Sequence, residues 1–113
     1  MVDNTGIVLE ELFDVIRARR LADPKASYVA GQFAAGKERI GQKVGEEAVE
    51  AVIAGVMDNK EGLVSESADL LFHLMMFWEI NEVTPSDVYR ELKRRQGISG
   101  LDSGKAGKRP SPS

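Results

Sequence analysis

Between residues 7 and 21 apolar side chains recur at Val8, Leu9, Leu12, Val15 and Ile16, and Arg17, Arg19 and Arg20 close the segment. That spacing predicts an amphipathic helix whose basic end complements the partial negative charge of a helix C-terminus. Asp23-Pro24 breaks it, because proline lacks an amide hydrogen and clashes with the preceding turn. Ser27 is placed to cap a short helical turn running through Tyr28 and Phe33, and Gly36 separates that turn from the next helical segment. Residues 37–57 are helical in pattern, with Ile40, Val44, Ala48, Val52 and Val56 read as one stripe. Residues 58–62 read as a turn and residues 63–80 as a second long helix with apolar positions around most of its circumference. Thr84-Pro85 has the cap and first-turn chemistry of another helix start, reaching about Gln96. No β alternation of useful length and no internal repeat is present. The expected fold is therefore all-α, a bundle of four to five helices over residues 1–96. Residues 97–113, rich in Gly, Ser and Pro, read as a flexible tail.

Composition narrows the picture. A chain of 113 residues with 42% hydrophobic content suits one core. With no cysteine, a disulfide framework, a cysteine-ligated zinc and a thiol nucleophile are all excluded, and a reducing cytoplasm is the expected setting. Residues 1–4 lack the basic start and apolar core of a signal peptide. The most apolar stretch, residues 70–80, contains His73 and Glu79 and falls well short of the roughly 20 residues a membrane span needs. A net charge of −3 gives no general attraction to nucleic acid or to an anionic membrane, so an anionic substrate needs a locally positive or metal-filled site. Lys105, Lys108 and Arg109 against Asp102 give the tail +2, leaving −5 on residues 1–96.

The chemistry concentrates in two runs of acids. At about 100° per residue, Glu46, Glu47 and Glu50 share one helix face, where they repel one another unless a cation is present. Glu66 and Asp69, three apart, repeat the arrangement on the next helix, between Leu63-Val64 and Leu70-Leu71, where an unpaired buried carboxylate is expensive. A short connection makes the two helices antiparallel neighbours whose acids can converge. The first run alone reads equally well as a solvated, salt-bridged face. The two together favour a hard-cation site of oxygen ligands suited to Mg²⁺ or Mn²⁺, with positions left open for substrate phosphates. Lys43, one turn before Glu46 and Glu47, is a candidate phosphate contact or the salt-bridge partner of Glu47. His73, one turn beyond Asp69, is either a substrate contact or a hydrogen-bonded core histidine, and Tyr28 either stacks near a base or simply packs. Di-iron chemistry is disfavoured, because His73 is the only histidine and follows no glutamate at the Glu-x-x-His spacing.

Glu46-Glu47-x-x-Glu50 followed by Glu66-x-x-Asp69 resembles the signature of the MazG-like all-α nucleoside triphosphate pyrophosphohydrolases. Ser27-Tyr28 with Phe33, the run from Lys43 to Glu50, the run from Ala68 to Leu74, and Asp87-Val88 through Leu92 with Arg94-Arg95 resemble, within that superfamily, the phosphoribosyl-ATP pyrophosphohydrolases of histidine biosynthesis. The resemblance spans about residues 8–101. It implies hydrolysis of 1-(5-phosphoribosyl)-ATP to 1-(5-phosphoribosyl)-AMP and pyrophosphate, in the stand-alone form of the enzyme. It further implies Glu47, Glu50, Glu66 and Asp69 as metal ligands, Glu46 as a neighbouring acid that orients water, and a homodimer completing the bundle. Magnesium at a phosphoanhydride neutralises phosphate charge and activates water, so no protein nucleophile is needed. Family tails carry Glu-Lys-Ala-Ser-Arg where this chain reads Gly104-Lys105-Ala106-Gly107-Lys108-Arg109; Lys105 is the tail's candidate substrate contact. The competing readings are a housecleaning nucleoside triphosphate pyrophosphatase and a helical interaction module without catalysis.

Overall fold

Local sequence sets where each helix starts and stops. The computed structural model describes residues 5–97, and no strand occurs among them. A 3₁₀ turn, Thr5–Ile7, leads into α1, Val8–Arg19, with Glu10 and Glu11 in its first turn and Arg17 and Arg19 in its last. Ser27 caps α2, Tyr28–Ala35, its hydroxyl accepting the Ala30 N–H at 3.2 Å. Gly36 has φ 107°, which L side chains rarely adopt, and this lets α3, Lys37–Val56, follow α2 with Gly36 as the single residue between them. Helix α4, Lys60–Ile80, starts three residues before the expected Leu63. Asn59 explains the difference: its side chain accepts the Gly62 N–H at 3.0 Å and caps the extra turn. The α3–α4 connection is thus only Met57, Asp58 and Asn59, with Asp58 left-handed at φ 58°.

The chain divides into two compact units between Val83 and Thr84. The second contains α5, Pro85–Gln96, whose start is the expected one. Thr84 Oγ1 accepts the Asp87 N–H at 3.2 Å and Asp87 Oδ2 accepts the Thr84 N–H at 2.9 Å, a reciprocal capping box. Within α5, Glu91 takes hydrogen bonds from Arg94 and Arg95, which hold its carboxyl down at about 2.

In the first unit, Phe13 and Ile16 of α1, Val29 of α2, Ile40 of α3, and Met75 and Met76 of α4 form the buried core. Leu9, Leu12, Phe33, Phe72, Phe77, Trp78 and Ile80 pack against it. Gly41 lets α3 close on α4, since a methyl group there would stand 3.3 Å from the Phe77 ring. Arg20 ties the α1 end to α4: its guanidinium donates to Glu79 Oε2 at 2.8 Å and lies over the Phe33 ring at 4.8 Å.

This core uses only the first part of α3 and the last part of α4. The other ends of the two helices continue past it as a hairpin whose buried positions are Glu47, Ala51 and Ala54. The expected α3 stripe fails there, with Val52 63% and Val56 75% exposed. Steps of four residues drift by about 40° each, so a row from Ile40 to Val56 winds about 160° around the helix instead of following one face. Helix α4 is likewise less enclosed than expected: Leu63, Val64 and Leu71 are exposed, as is Asp69, and Glu66 is half-buried.

Candidate functional site

The antiparallel α3–α4 hairpin brings the two acid runs together where it leaves the core. Oxygens of Glu47, Glu66 and Asp69 lie within 4.8 Å of one another, a spacing at which three carboxylates can hold one metal ion. Glu47 is only 8% exposed, and among the described residues its Oε1 has no hydrogen-bond donor. The Oε1 of Glu66 is likewise buried and without a partner among the described residues. Such orphaned acceptors are costly unless a proton or a cation fills the space between them. The Glu66 carboxyl shows the strain: the proton it can share first with Glu47, then with Glu50, followed by desolvation and the two neighbouring negative charges, lifts it from 4.5 to about 7. The donor set is all carboxylate oxygen, matching the preference of a hard divalent cation. The residues present therefore fit a metal centre.

Glu50 is exposed, outside the tight trio yet close enough to share a proton with Glu66. Glu46 is held away from the trio: Gln42 Nε2 donates to its Oε2 at 3.0 Å and Lys43 Nζ stands 3.6 Å from its Oε1. The Gln42 hydrogen bond, aided by Lys43, lowers the Glu46 carboxyl below its ordinary value. Lys43 Nζ is also 3.9 Å from Glu47 Oε2, so one ammonium group borders both glutamates.

One turn beyond Asp69, His73 is 5% exposed, with Nδ1 3.0 Å from the Asp69 carbonyl oxygen and Nε2 2.7 Å from the Tyr28 hydroxyl. Tyr28 itself is 53% exposed, its ring stacked on Phe72 at 6.1 Å and 24°.

A centre of this make-up, on a helical hairpin, is the feature for which sequence comparison is decisive. The profile of the phosphoribosyl-ATP pyrophosphohydrolase family matches residues 9–96. The chain belongs to that family. Among its relatives, the phosphoribosyl-ATP pyrophosphatase of Paramagnetospirillum magneticum is 50% identical over 88% of this chain and 91% of its own length. That of Rhizorhabdus wittichii is 53% identical over 82% of this chain and 88% of its own. That of Agrobacterium fabrum is 45% identical over 92% and 95%.

Of the site residues expected from sequence, Glu47, Glu66 and Asp69 converge, with Glu50 adjoining and Lys43 and Glu46 at the edge. Tyr28 and His73 meet each other one turn away, and Lys105 lies outside the described residues. Sequence reasoning missed Gln42, although its place one turn before Glu46 on a helical face was a usable signal. It also missed the Tyr28–His73 hydrogen bond, which joins residues 45 apart and leaves no periodic trace.

Proposed function

We propose that this chain hydrolyses 1-(5-phosphoribosyl)-ATP to 1-(5-phosphoribosyl)-AMP and pyrophosphate, the second step of histidine biosynthesis, with Mg²⁺ or Mn²⁺ held by Glu47, Glu66 and Asp69 and adjoined by Glu50. The observation that carries this reading is the pair of buried, donorless oxygens on Glu47 and Glu66, whose carboxylates converge with that of Asp69 to within 4.8 Å, in a chain of this family. When bound, the cation supplies charge neutralisation to the phosphoanhydride and lowers the pKa of water. The chain's own residues do the rest. The Lys43 ammonium, loosely paired at 3.6 and 3.9 Å, is available to a phosphate oxygen. Glu46, kept ionised by Gln42 and Lys43, is a weak base and is suited to orienting water more than to taking its proton. No side chain acts as a nucleophile.

A second copy of the chain is the proposed partner. Val49, Val52, Ile53 and Val56 of α3 are each more than half exposed and follow i, i+3, i+4, i+7 spacing. They lie opposite the face that Glu47, Ala51 and Ala54 turn toward α4, and an exposed apolar row of this kind calls for a cover.

Pyrophosphate release from phosphoribosyl-ATP, ATP and dCTP tests the substrate. Preference for phosphoribosyl-ATP is expected, and equal turnover of all three points to a housecleaning enzyme. Glu47→Gln, Glu66→Gln and Asp69→Asn test the centre: each keeps size but removes a charged ligand, so activity should fall by orders of magnitude with helicity intact. Near wild-type turnover in all three removes the basis for the reading.

A further inference from the structure

Tyr28 is held at two points and is still more than half exposed. Its hydroxyl is fixed to His73 Nε2 and its ring is backed by Phe72, yet the side chain stays half in water, while Val29 and Ala30 beside it are buried. The His73 ring is set from the other side. The Asp69 carbonyl oxygen has no hydrogen to give, so Nδ1 donates to it, and Nε2 is left to accept the Tyr28 hydroxyl. On a helix turning about 100° and rising about 1.5 Å per residue, Phe72 and His73 flank the direction of Asp69 by roughly 60° and 40°, about one turn further along. A ring that touches both lies in line with Asp69, about 5 Å further along the axis than Asp69 and about 10 Å further than Glu66. Phe72 packs on the core, so the backing is rigid.

We propose that Tyr28 is the surface on which the purine of the substrate stacks, and that His73 is a positioning residue that aims this ring without touching substrate. The inference rests on the phosphates being held at the carboxylates, as proposed above. Adenine alkylated at N1 is a stronger base than adenine and carries positive charge near neutrality, and the face of a tyrosine attracts cations. Tyr28 therefore favours phosphoribosyl-ATP over ATP, a discrimination the metal centre cannot make from phosphates alone.

Steady-state kinetics of the full chain with Mg²⁺ test this, using phosphoribosyl-ATP and ATP as substrates and tripolyphosphate, which has no base, as inhibitor. Loss of one stacked base should raise KM for phosphoribosyl-ATP about tenfold in Tyr28→Leu, more than kcat falls and more than KM for ATP rises. Inhibition by tripolyphosphate should not change. Tyr28→Phe keeps the ring but loses its tether and should raise KM roughly threefold. His73→Leu should match it, whereas His73→Gln, which restores an acceptor, should return KM toward wild type. A Tyr28→Leu enzyme with unchanged KM overturns the proposal, and so does one in which tripolyphosphate binding weakens in parallel, since the site as a whole would then have been disturbed. A wild-type protein that cleaves ATP but not phosphoribosyl-ATP overturns the substrate reading and the preference assigned to Tyr28, and the stacking itself then stands or falls on a tenfold rise in KM for ATP in Tyr28→Leu.

Discussion

Glu66 is the residue at which the cost of the site is most visible. Its carboxyl, lifted from 4.5 to about 7 by Glu47 and Glu50, holds its proton more tightly in the folded chain than in the unfolded one. Below pH 4.5 the group is protonated in both states and contributes nothing to pH dependence. As pH rises from about 4.5 to about 7 the unfolded chain releases the proton first, so the metal-free protein loses stability across that window and levels off above it. Melting temperatures in chelator should show this fall in wild type and a flatter curve in Glu66→Gln; identical slopes would mean the three carboxylates do not interact as described. Two other residues carry local strain. Asp58 and Glu82 sit in left-handed conformation at φ 58° and 61°, which costs a residue with a Cβ about 1–2 kcal/mol, partly offset by glycine's own entropy loss. Asp58→Gly and Glu82→Gly should each stabilise by about 0.5 kcal/mol, read as a higher urea midpoint.

Among the elements, α1 depends on Arg20 for its attachment to α4. Arg20 combines a 2.8 Å ion pair to a largely buried Glu79 with a stack on Phe33, whereas Arg17 reaches Glu79 only at 3.9 Å from an exposed position. Arg20→Ala should cost about 1–2 kcal/mol and Arg17→Ala less than about 0.5, measured by denaturant unfolding. Neither arginine's partner is readable from sequence, because basic residues at the end of an amphipathic helix are sufficiently explained by the helix itself. The helices are readable where local chemistry marks them. Thr84-Pro85 marks the start of α5 to the residue, while α4 begins three residues earlier than its apolar pattern predicts, because Asn59 reads as part of the turn it ends. The convergence of the acid runs is legible, since three-residue spacing survives folding into a helix unchanged. The environment of Glu66 and Asp69 is not: an apolar sequence around an acid tells which residues are near, not whether the rest of the chain covers them.

For the molecule, the apolar row on α3 is the feature that one chain does not resolve. If a second copy covers it, Val52→Glu combined with Val56→Glu should shift sedimentation at micromolar concentration from dimer to monomer, with helicity retained. A wild-type chain that is monomeric under the same conditions would leave the row without its proposed cover. The exposure of Val49, Val52, Ile53 and Val56 also separates two tasks along α3, whose first part holds the core through Ile40 and whose second part presents acids on one side and valines on the other.

The brevity of the Met57–Asn59 connection has a kinetic consequence. Glu47, Glu66 and Asp69 all belong to one helical hairpin, and closing so short a loop costs little chain entropy and takes far less time than assembling contacts distant in sequence. The proposed cation ligands can therefore be in place before α1 and α2 dock. A metal bound that early stabilises the folding transition state as well as the final state, so Mg²⁺ should steepen recovery after denaturant dilution, with refolding accelerated more than unfolding is slowed. Stopped-flow chevrons with and without Mg²⁺ would show the metal-dependent displacement mainly in the refolding arm; displacement of the unfolding arm alone would place assembly of the carboxylates after the rate-limiting step.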